Sequence, residues 1–302
     1  MKSVGLFVLF FGLCSLKTAR AAEPVQYHLD LNHPSPKAGD QTERTIQVFS
    51  TTSNVNPAES QETETNSSHF FELKGREKIL SWDVTNDLSK VEITVQRLVE
   101  ANDGETNELV APGTQLIGTS ILGESFFDST GEAIPEAAYE QLKQFYNIRP
   151  HGFDEFAHMK LPPQLAVGQI YEIPPPTNSE EMAGILGASF TNGVNAACQL
   201  VGTTNLYGFD CLHLQIRANY TGTPGFLQQI LRAGPPAKMI LQVAFTADLF
   251  VPLDPSQRIL MKIYSMDISS SGTMDVNGKP VAFSRGRSTL KIISESQPIS
   301  QQ

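Results

Sequence analysis

The sequence predicts a mainly β protein of the α+β kind, with curved antiparallel sheets and two or three helices packed on them. Three observations predict it. Apolar residues recur at every second position over much of the chain, as in Val91, Ile93 and Val95 or Leu212, Leu214 and Ile216, which is the period of a half-buried strand. These runs are separated by Gly, Pro, Asn and Asp clusters of turn type. Helical spacing of apolar residues is confined to short stretches, the clearest between Pro135 and Tyr146.

Taken in order, Val25 to Leu31 reads as a first strand, and Asn32 to Asp40 as a Pro/Gly turn segment. Glu43 to Ser50 is a second strand, with Ile46 and Val48 on one face. Thr51 to Ser68 carries Ser, Thr, Asn and Glu without an apolar period and predicts a long exposed loop. Strands resume with Leu80, Trp82 and Val84 on one face, then Lys90 to Gln96. Gly118 and Gly123 within Gln115 to Asp128 suggest a bulge or bend. Pro135 suits a first helical position, and Ala138, Leu142 and Phe145 form an apolar stripe at i, i+4 and i+7.

After Asn147 to Pro163, a break, Leu165 to Ile173 is a strand ending in three prolines. Short helices are expected near Met182 to Leu186 and between Thr223-Pro224 and Gly234-Pro235. The last third is strand again: Met239, Leu241, Val243 and Phe245 share a face, as do Ile259, Met261 and Ile263. Asn277-Gly278 marks a tight hairpin before Val281 to Ile293.

Residues 1–21 have the form of a secretory signal. Lys2 is the charged start, Val4 to Leu16 the apolar region, and Ala19-Arg20-Ala21 the cleavage pattern. The apolar region falls short of the roughly 20 residues that span a bilayer, and Leu13 is the wrong residue before Cys14 for lipid attachment. The expected location is therefore extracytoplasmic, periplasmic or secreted, without stable membrane insertion. Losing Lys2, Lys17 and Arg20 with the signal takes the charge from −10 to −13. That acidity disfavours nucleic acid as a partner. The remaining chain divides into an N-terminal β-rich half with one helix, residues 22–149, and a C-terminal β-rich half, residues 150–302. Asn66 and Asn219 stand in Asn-x-Ser/Thr sequons.

The C-terminal half is organised by two strand-rich runs, Ala197 to Thr203 and Phe209 to Asn219, around turn residues Asn205 to Gly208. With the turn centred near Thr204 and Asn205, Cys198 falls opposite Cys211. In an oxidising compartment this predicts a cross-strand disulfide. His213 falls on the wet face of its strand.

Catalytic patterns are sparse, and no enzyme activity is expected. Gly187 to Thr191 approaches a serine-hydrolase elbow but lacks its last glycine. Asp128-Ser129-Thr130-Gly131 approaches an aspartic-protease loop but has one residue too many and no second copy to pair with. His151, Asp154, Glu155 and His158 are the metal-ligand types at close spacing. Pro150, Gly152 and Leu161-Pro162-Pro163 work against the helix that would align them, so no metal and no cofactor is expected. The aromatics Trp82, Phe126, Phe145 and Phe245 are candidates to line an apolar cleft between sheet and helix.

Several short segments together resemble a family of uncharacterised secreted bacterial β-rich proteins. They are Lys37 to Asp40 before a strand, Lys90 to Glu100, Phe126 to Glu132, Leu161 to Ile173 with its Val167-Gly168-Gln169-Ile170-Tyr171 turn, and Gly208 to Cys211. More distantly the pattern is similar to half-barrel lipoprotein carriers of the Gram-negative envelope. The family implies no catalytic residues. The expected role is a non-enzymatic binding or scaffolding module of the bacterial envelope, whose partner is a protein or an apolar ligand. Alternatives are a carrier of a lipid-like ligand and an envelope hydrolase.

Overall fold

Two sheets and one helix make up the computed structural model, which describes residues 25–29, 37–56, 63–83, 88–120, 125–146, 148, 161–173, 192–222, 237–254, 256–276 and 279–299. The signal-like residues 1–21, the cluster His151, Asp154, Glu155 and His158, the elbow-like Gly187 to Thr191, and the segments near Met182 to Leu186 and Thr223 to Gly234 lie outside the described residues.

In chain order the strands are β1 (Gln26–His28), β2 (Gln41–Asn56), β3 (Thr63–Asp83), β4 (Leu88–Asn102), β5 (Glu105–Val110), β6 (Gln115–Thr119) and β7 (Ser125–Asp128). Helix α1 (Glu136–Phe145) follows. Then come β8 (Gln164–Ala166), β9 (Ile170–Ile173), β10 (Asn192–Leu206), β11 (Phe209–Gly222), β12 (Ala237–Pro252), β13 (Met261–Val276) and β14 (Lys279–Pro298). One antiparallel sheet of 12 strands has the order β7-β6-β4-β3-β2-β14-β13-β12-β11-β10-β9, with β5 on β4, and does not close. A separate ribbon pairs β1 with β8. The expected mainly β, antiparallel class holds. Of the expected two or three helices one, α1, is present among the described residues; the segments expected to carry the others lie outside them.

Residues paired across an antiparallel ladder project to the same face. One such line runs through Cys198, Ile216, Ala247, Tyr264, Ile292, Val48 and Phe71, across seven strands. Both main core clusters therefore lie on one face, here called the inner face. The first gathers Ile46, Val48, Phe71, Leu73, Ile93 and Leu98 under Ala138 and Leu142 of α1. The second gathers Cys198, Leu200, Leu214, Ile216 and Leu249 under Leu29 and Leu165 of the ribbon region. The outer face is a charged lattice, for example Arg97 Nε to Glu72 Oε2 at 2.6 Å and Gln47 Nε2 to Glu72 Oε1 at 2.8 Å.

Two expectations are corrected by the ladder register. Thr51 to Ser68 is not one long loop: β2 and β3 stay paired from Gln41↔Lys78 out to Asn56↔Thr63. These polar strands need no apolar face of their own, because β14 continues the ladder on the other side of β2 as far as Arg285↔Val55. Hydroxyls bond across it, with Thr51 Oγ1 to Thr289 Oγ1 at 2.7 Å and Ser53 Oγ to Glu64 Oε1 at 2.8 Å.

The second correction is the disulfide. The turn of the β10–β11 hairpin sits at Tyr207-Gly208, both at positive φ, and Leu206 pairs with Phe209. Positive φ at both central residues is the geometry of a tight hairpin turn. Asn205 Oδ1 accepts the Gly208 N–H at 3.2 Å, and Asn205 Nδ2 donates to Asp210 at 3.0 Å. The turn therefore sits later than expected, and a bulge at Leu200/Gly202 shifts the register again. Cys211 lies opposite Thr204 and Cys198 opposite Ile216. At ~3.4 Å per residue this separates the cysteines by about 20 Å along the hairpin, far beyond disulfide reach. Both are buried free thiols. Burial pushes Cys198 up to about 11.

Candidate functional site

The inner face is covered over two areas and left half-open between them. Helix α1 presents its apolar stripe to the first cluster as expected, with Ala138 and Leu142 fully buried and Phe145 stacked on Phe71 at 5.7 Å. Pro135 is its N-cap and Glu136 and Lys143 suit its dipole at either end. The ribbon covers the second cluster, held by the Leu29 N–H to Pro163 O bond at 2.8 Å and the Gly168 N–H to Leu200 O bond at 2.7 Å.

Between the covers, on β12, β13 and β14, Phe245, Tyr264, Met266, Leu290 and Ile292 are half-buried. Leu290 and Ile292 touch the first cluster, Tyr264 and Phe245 the second, and Met266 a small third cluster around Tyr220 and Val243. Phe245 and Tyr264 stack at 6.1 Å within this strip.

The four aromatics expected to line one cleft do not come together. Phe126 is buried edge-on to Tyr146 at 5.7 Å, Phe145 packs on Phe71, and Trp82 packs at the margin of the first cluster. Phe245 lies in the other half, on the strip. Phe126 is also close beneath Gly118, where a Cβ would meet its ring at 3.1 Å. Those near α1 thus fill core, and Phe245 alone belongs to the half-open strip.

At one end of the inner face lies an ionic cluster with its residues far apart in sequence. Arg44 Nη1 donates to Glu77 Oε2 at 3.0 Å, and the Tyr146 hydroxyl donates to the same oxygen. The Arg44 guanidinium also lies over the Tyr146 ring, 4.7 Å from its centre. Beside it Arg258 Nη2 donates to Asp40 Oδ2 at 3.3 Å. Burial opposes the Arg44 charge, but Glu77 together with Tyr146 more than offsets this, and the Arg44 pKa is raised. Burial, then Glu77, pushes the Tyr146 phenol well up, so it stays a neutral donor. Burial lowers Arg258, with Glu77 and Asp40 opposing. The Nε of Arg44 is buried and has no acceptor among the described residues.

This cluster carried a signal in the sequence. Phe71, Leu73, Gly75, Glu77 and Ile79 alternate on one strand and all are buried. A carboxylate in that series marks a charge forced inward, and Arg44, two residues before Ile46, is its counterpart on the neighbouring strand. Buried charges must be paired, so the two could have been matched by face alone.

Two histidine–carboxylate pairs stand elsewhere. On the inner face under α1, His69 Nε2 lies 3.2 Å from Glu100 Oε1, and Gln141 Nε2 donates to that oxygen at 3.1 Å. On the outer face, His213 Nε2 lies 2.8 Å from Asp248 Oδ1, Gln215 Nε2 donates to it at 2.9 Å, and Phe250 stacks on the imidazole at 4.6 Å. His213 thus sits on the face opposite Leu212 and Leu214, as its spacing predicts. In both pairs the third partner is a glutamine amide, which is no nucleophile.

The Asp128 loop is a turn. Its carboxylate accepts the Thr130 hydroxyl at 2.7 Å, the Thr130 N–H at 2.9 Å and the Glu132 N–H at 2.8 Å. These bonds, the Thr130 hydroxyl foremost, hold it below the usual carboxylate range. A hollow of about 410 Å³ beside it is lined by Lys90, Ile117, Phe127 and the turn itself. Among the described residues no group of three or more His, Cys, Asp or Glu is placed to hold a metal ion, and no helix is long and apolar enough to cross a membrane.

No protein family matches the chain and no curated protein does. Among solved structures it aligns with Pseudomonas aeruginosa OpdQ at 6% identity, over 86% of this chain and 98% of that one, with a TM-score of 0.18. The deltaS2 mutant of the TodX monoaromatic hydrocarbon channel aligns at 9% identity, over 88% and 91%, with a TM-score of 0.21. At these scores the likeness supports neither a shared fold nor a shared function.

Proposed function

We propose that the protein is an exported, non-enzymatic binding module of the bacterial envelope or its surroundings, and that it binds through the inner face of its large sheet. The half-buried strip of Phe245, Tyr264, Met266, Leu290 and Ile292 carries this reading. Apolar side chains left half-covered gain by acquiring a cover, at roughly 25 cal/mol per Å² removed from water. Non-enzymatic action is supported by the histidine pairs, whose carboxylates are bonded to glutamine amides. Export is supported by the signal pattern of residues 1–21.

Of the possible occupants, an apolar small ligand is favoured over a protein. The strip is flanked by α1 on one side and by the ribbon's cluster on the other, and a narrow apolar band between two covers suits a chain-like ligand better than a flat partner. Native mass spectrometry of the protein purified from its own host, before and after organic extraction, tests both parts. Export predicts a chain beginning at Ala22. The carrier reading predicts an additional extractable mass. A full-length chain overturns the first, and an unliganded chain that binds no added lipid overturns the second.

A further inference from the structure

The outer edges of the large sheet are not alike. Beyond β7 the far side is bridged, Phe127 pairing with Ala133, and β5 carries Glu105 and Glu108. At the other end β9 pairs with β10 only from Ala196 to Gln199, and the Gly168 N–H donates to the Leu200 carbonyl at 2.7 Å. Past that point Val201 to Leu206 of β10 has β11 on one side and, among the described residues, no strand on the other. The hairpin closes at Leu206↔Phe209 over the two-residue turn Tyr207-Gly208. Bonded pairs alternate from there, so Leu206, Thr204 and Gly202 exchange bonds with β11, and Thr203 and Asn205 direct their main-chain N–H and C=O outward. Those outward groups have no main-chain partner among the described residues.

We infer that this edge pairs with the same edge of a second copy of the chain, antiparallel about a two-fold axis at Thr204. It is a different part of the molecule from the half-buried strip, and the inference does not rest on that strip. Three features carry it. First, pairing centred on Thr204 sets Thr203 of each copy against Asn205 of the other, so every outward main-chain group of these two residues is satisfied. It also sets Thr204 against itself, a favourable cross-strand pair. Second, the run is symmetric in its apolar ends. Val201, 43% exposed, and Tyr207, 38% exposed, stand at equal distances on either side of Thr204. The same register lays Tyr207 of one copy against Val201 of the other, next to the exposed Val167 of the Gly168 turn. Third, a net charge of −10 sets two copies against each other over most of their surface, yet β10 holds no charged residue. Edge strands are ordinarily guarded by charge or proline, and Val201 to Leu206 has neither. A partner drawn by charge would find none here, whereas a second copy requires its absence. A self-complementary contact of this kind closes as a dimer.

The test is sedimentation velocity of the full chain from about 1 to about 200 μM. A monomer–dimer transition with a Kd on the order of 10 μM is expected for a contact this small. Thr204 is exposed, so Thr204→Lys and Thr204→Glu keep the fold while placing like charges face to face across the axis. Each alone is expected to weaken the dimer at least about fivefold, and an equimolar mixture of the two to restore it. Thr203→Pro removes one outward N–H from each copy and leaves the β11 ladder whole. It is expected to weaken the dimer by a similar factor, and it gives a second reading should the Thr204 variants lose the fold. A monomer at every concentration overturns the inference and leaves the edge to a different chain. A dimer that all three variants form as tightly as the unaltered chain places the contact elsewhere and overturns it as well. Loss of the dimer in both Thr204 variants without recovery in the mixture overturns the axis at Thr204.

Discussion

The two halves of the inner face are sealed by different means. Over β2, β3 and β4 the cover is an amphipathic helix, fixed by apolar packing of Ala138 and Leu142 and also by polar contacts, Tyr146 to Glu77 at its end and Gln141 to Glu100 in its middle. Over β10, β11 and β12 the cover is a three-residue ribbon pair, fixed by Leu29 and Leu165 and by backbone bonds. A helix brings its own backbone bonds and needs side chains to orient it. A ribbon this short cannot stand alone and borrows its bonds from the sheet and from the chain beside it. The difference teaches that one cover is positioned by side-chain polarity and the other by main-chain continuity.

The largest test of this contrast is a pair of truncations. Leu142→Ala and Leu165→Ala, both at fully buried positions, are each expected to cost about 2–5 kcal/mol, read by urea unfolding. A Leu165→Ala cost under about 1 kcal/mol beside a full cost at Leu142 would make the ribbon peripheral. Next in size, Tyr146→Phe removes the hydroxyl from Glu77 and is expected to cost about 1–3 kcal/mol. Among the described residues no comparable side-chain contact anchors Leu165, so an undiminished stability in Tyr146→Phe would erase the distinction between the covers.

A smaller effect is expected in alkali. Burial raises Cys198 to about 11 and Tyr220 to about 12 in the C-terminal half. A raised folded pKa means the folded state holds its proton longer, so each group's contribution is complete below its unfolded value, 9.0 for the thiol and 10.0 for the phenol. It is lost as pH climbs to the folded value. Stability should fall between about pH 9 and 12, and Cys198→Ala should flatten the first part of that fall. A pH-independent urea midpoint across this window would contradict it. Last, with no change in stability at all, denatured unreduced protein should show two reactive thiols from Cys198 and Cys211, while native protein at pH 8 reacts slowly at Cys198.

Much of the strand pattern was legible because alternation is a local property. Val91, Ile93 and Val95 are buried as their spacing predicts, and the Asn277-Gly278 signal matches the Val276↔Lys279 pairing that leaves a two-residue connection. Helix α1 begins and ends within a residue of its expected limits. What failed depended on partners distant in sequence. Thr51 to Ser68 reads as loop because neither strand has an apolar face, and only the β2–β3–β14 ladder makes it strand. The cysteine register failed because Tyr207, a residue with a side chain, takes the positive φ usually left to glycine. Arg44 and Glu77 went unmatched because 33 residues separate them, although each interrupts an apolar series on its own strand. Phe245 was grouped with aromatics from the other half because residue type carries no information on which cover it meets.

The position of β14 has a consequence for the order of events as the chain is made. It is the last of the described strands in sequence, yet it lies at the centre of the sheet, between β2 and β13. Until it emerges, β2 and β13 each present an open edge of 16 residues. Such edges invite pairing with other chains. The seam closes by contacts that join residue 42 to residue 298, so the slowest, longest-range step of folding comes at the end. A chain cut short before Lys279 would keep both halves but lose the strand that joins them, leaving two sticky sheets where the whole protein has one.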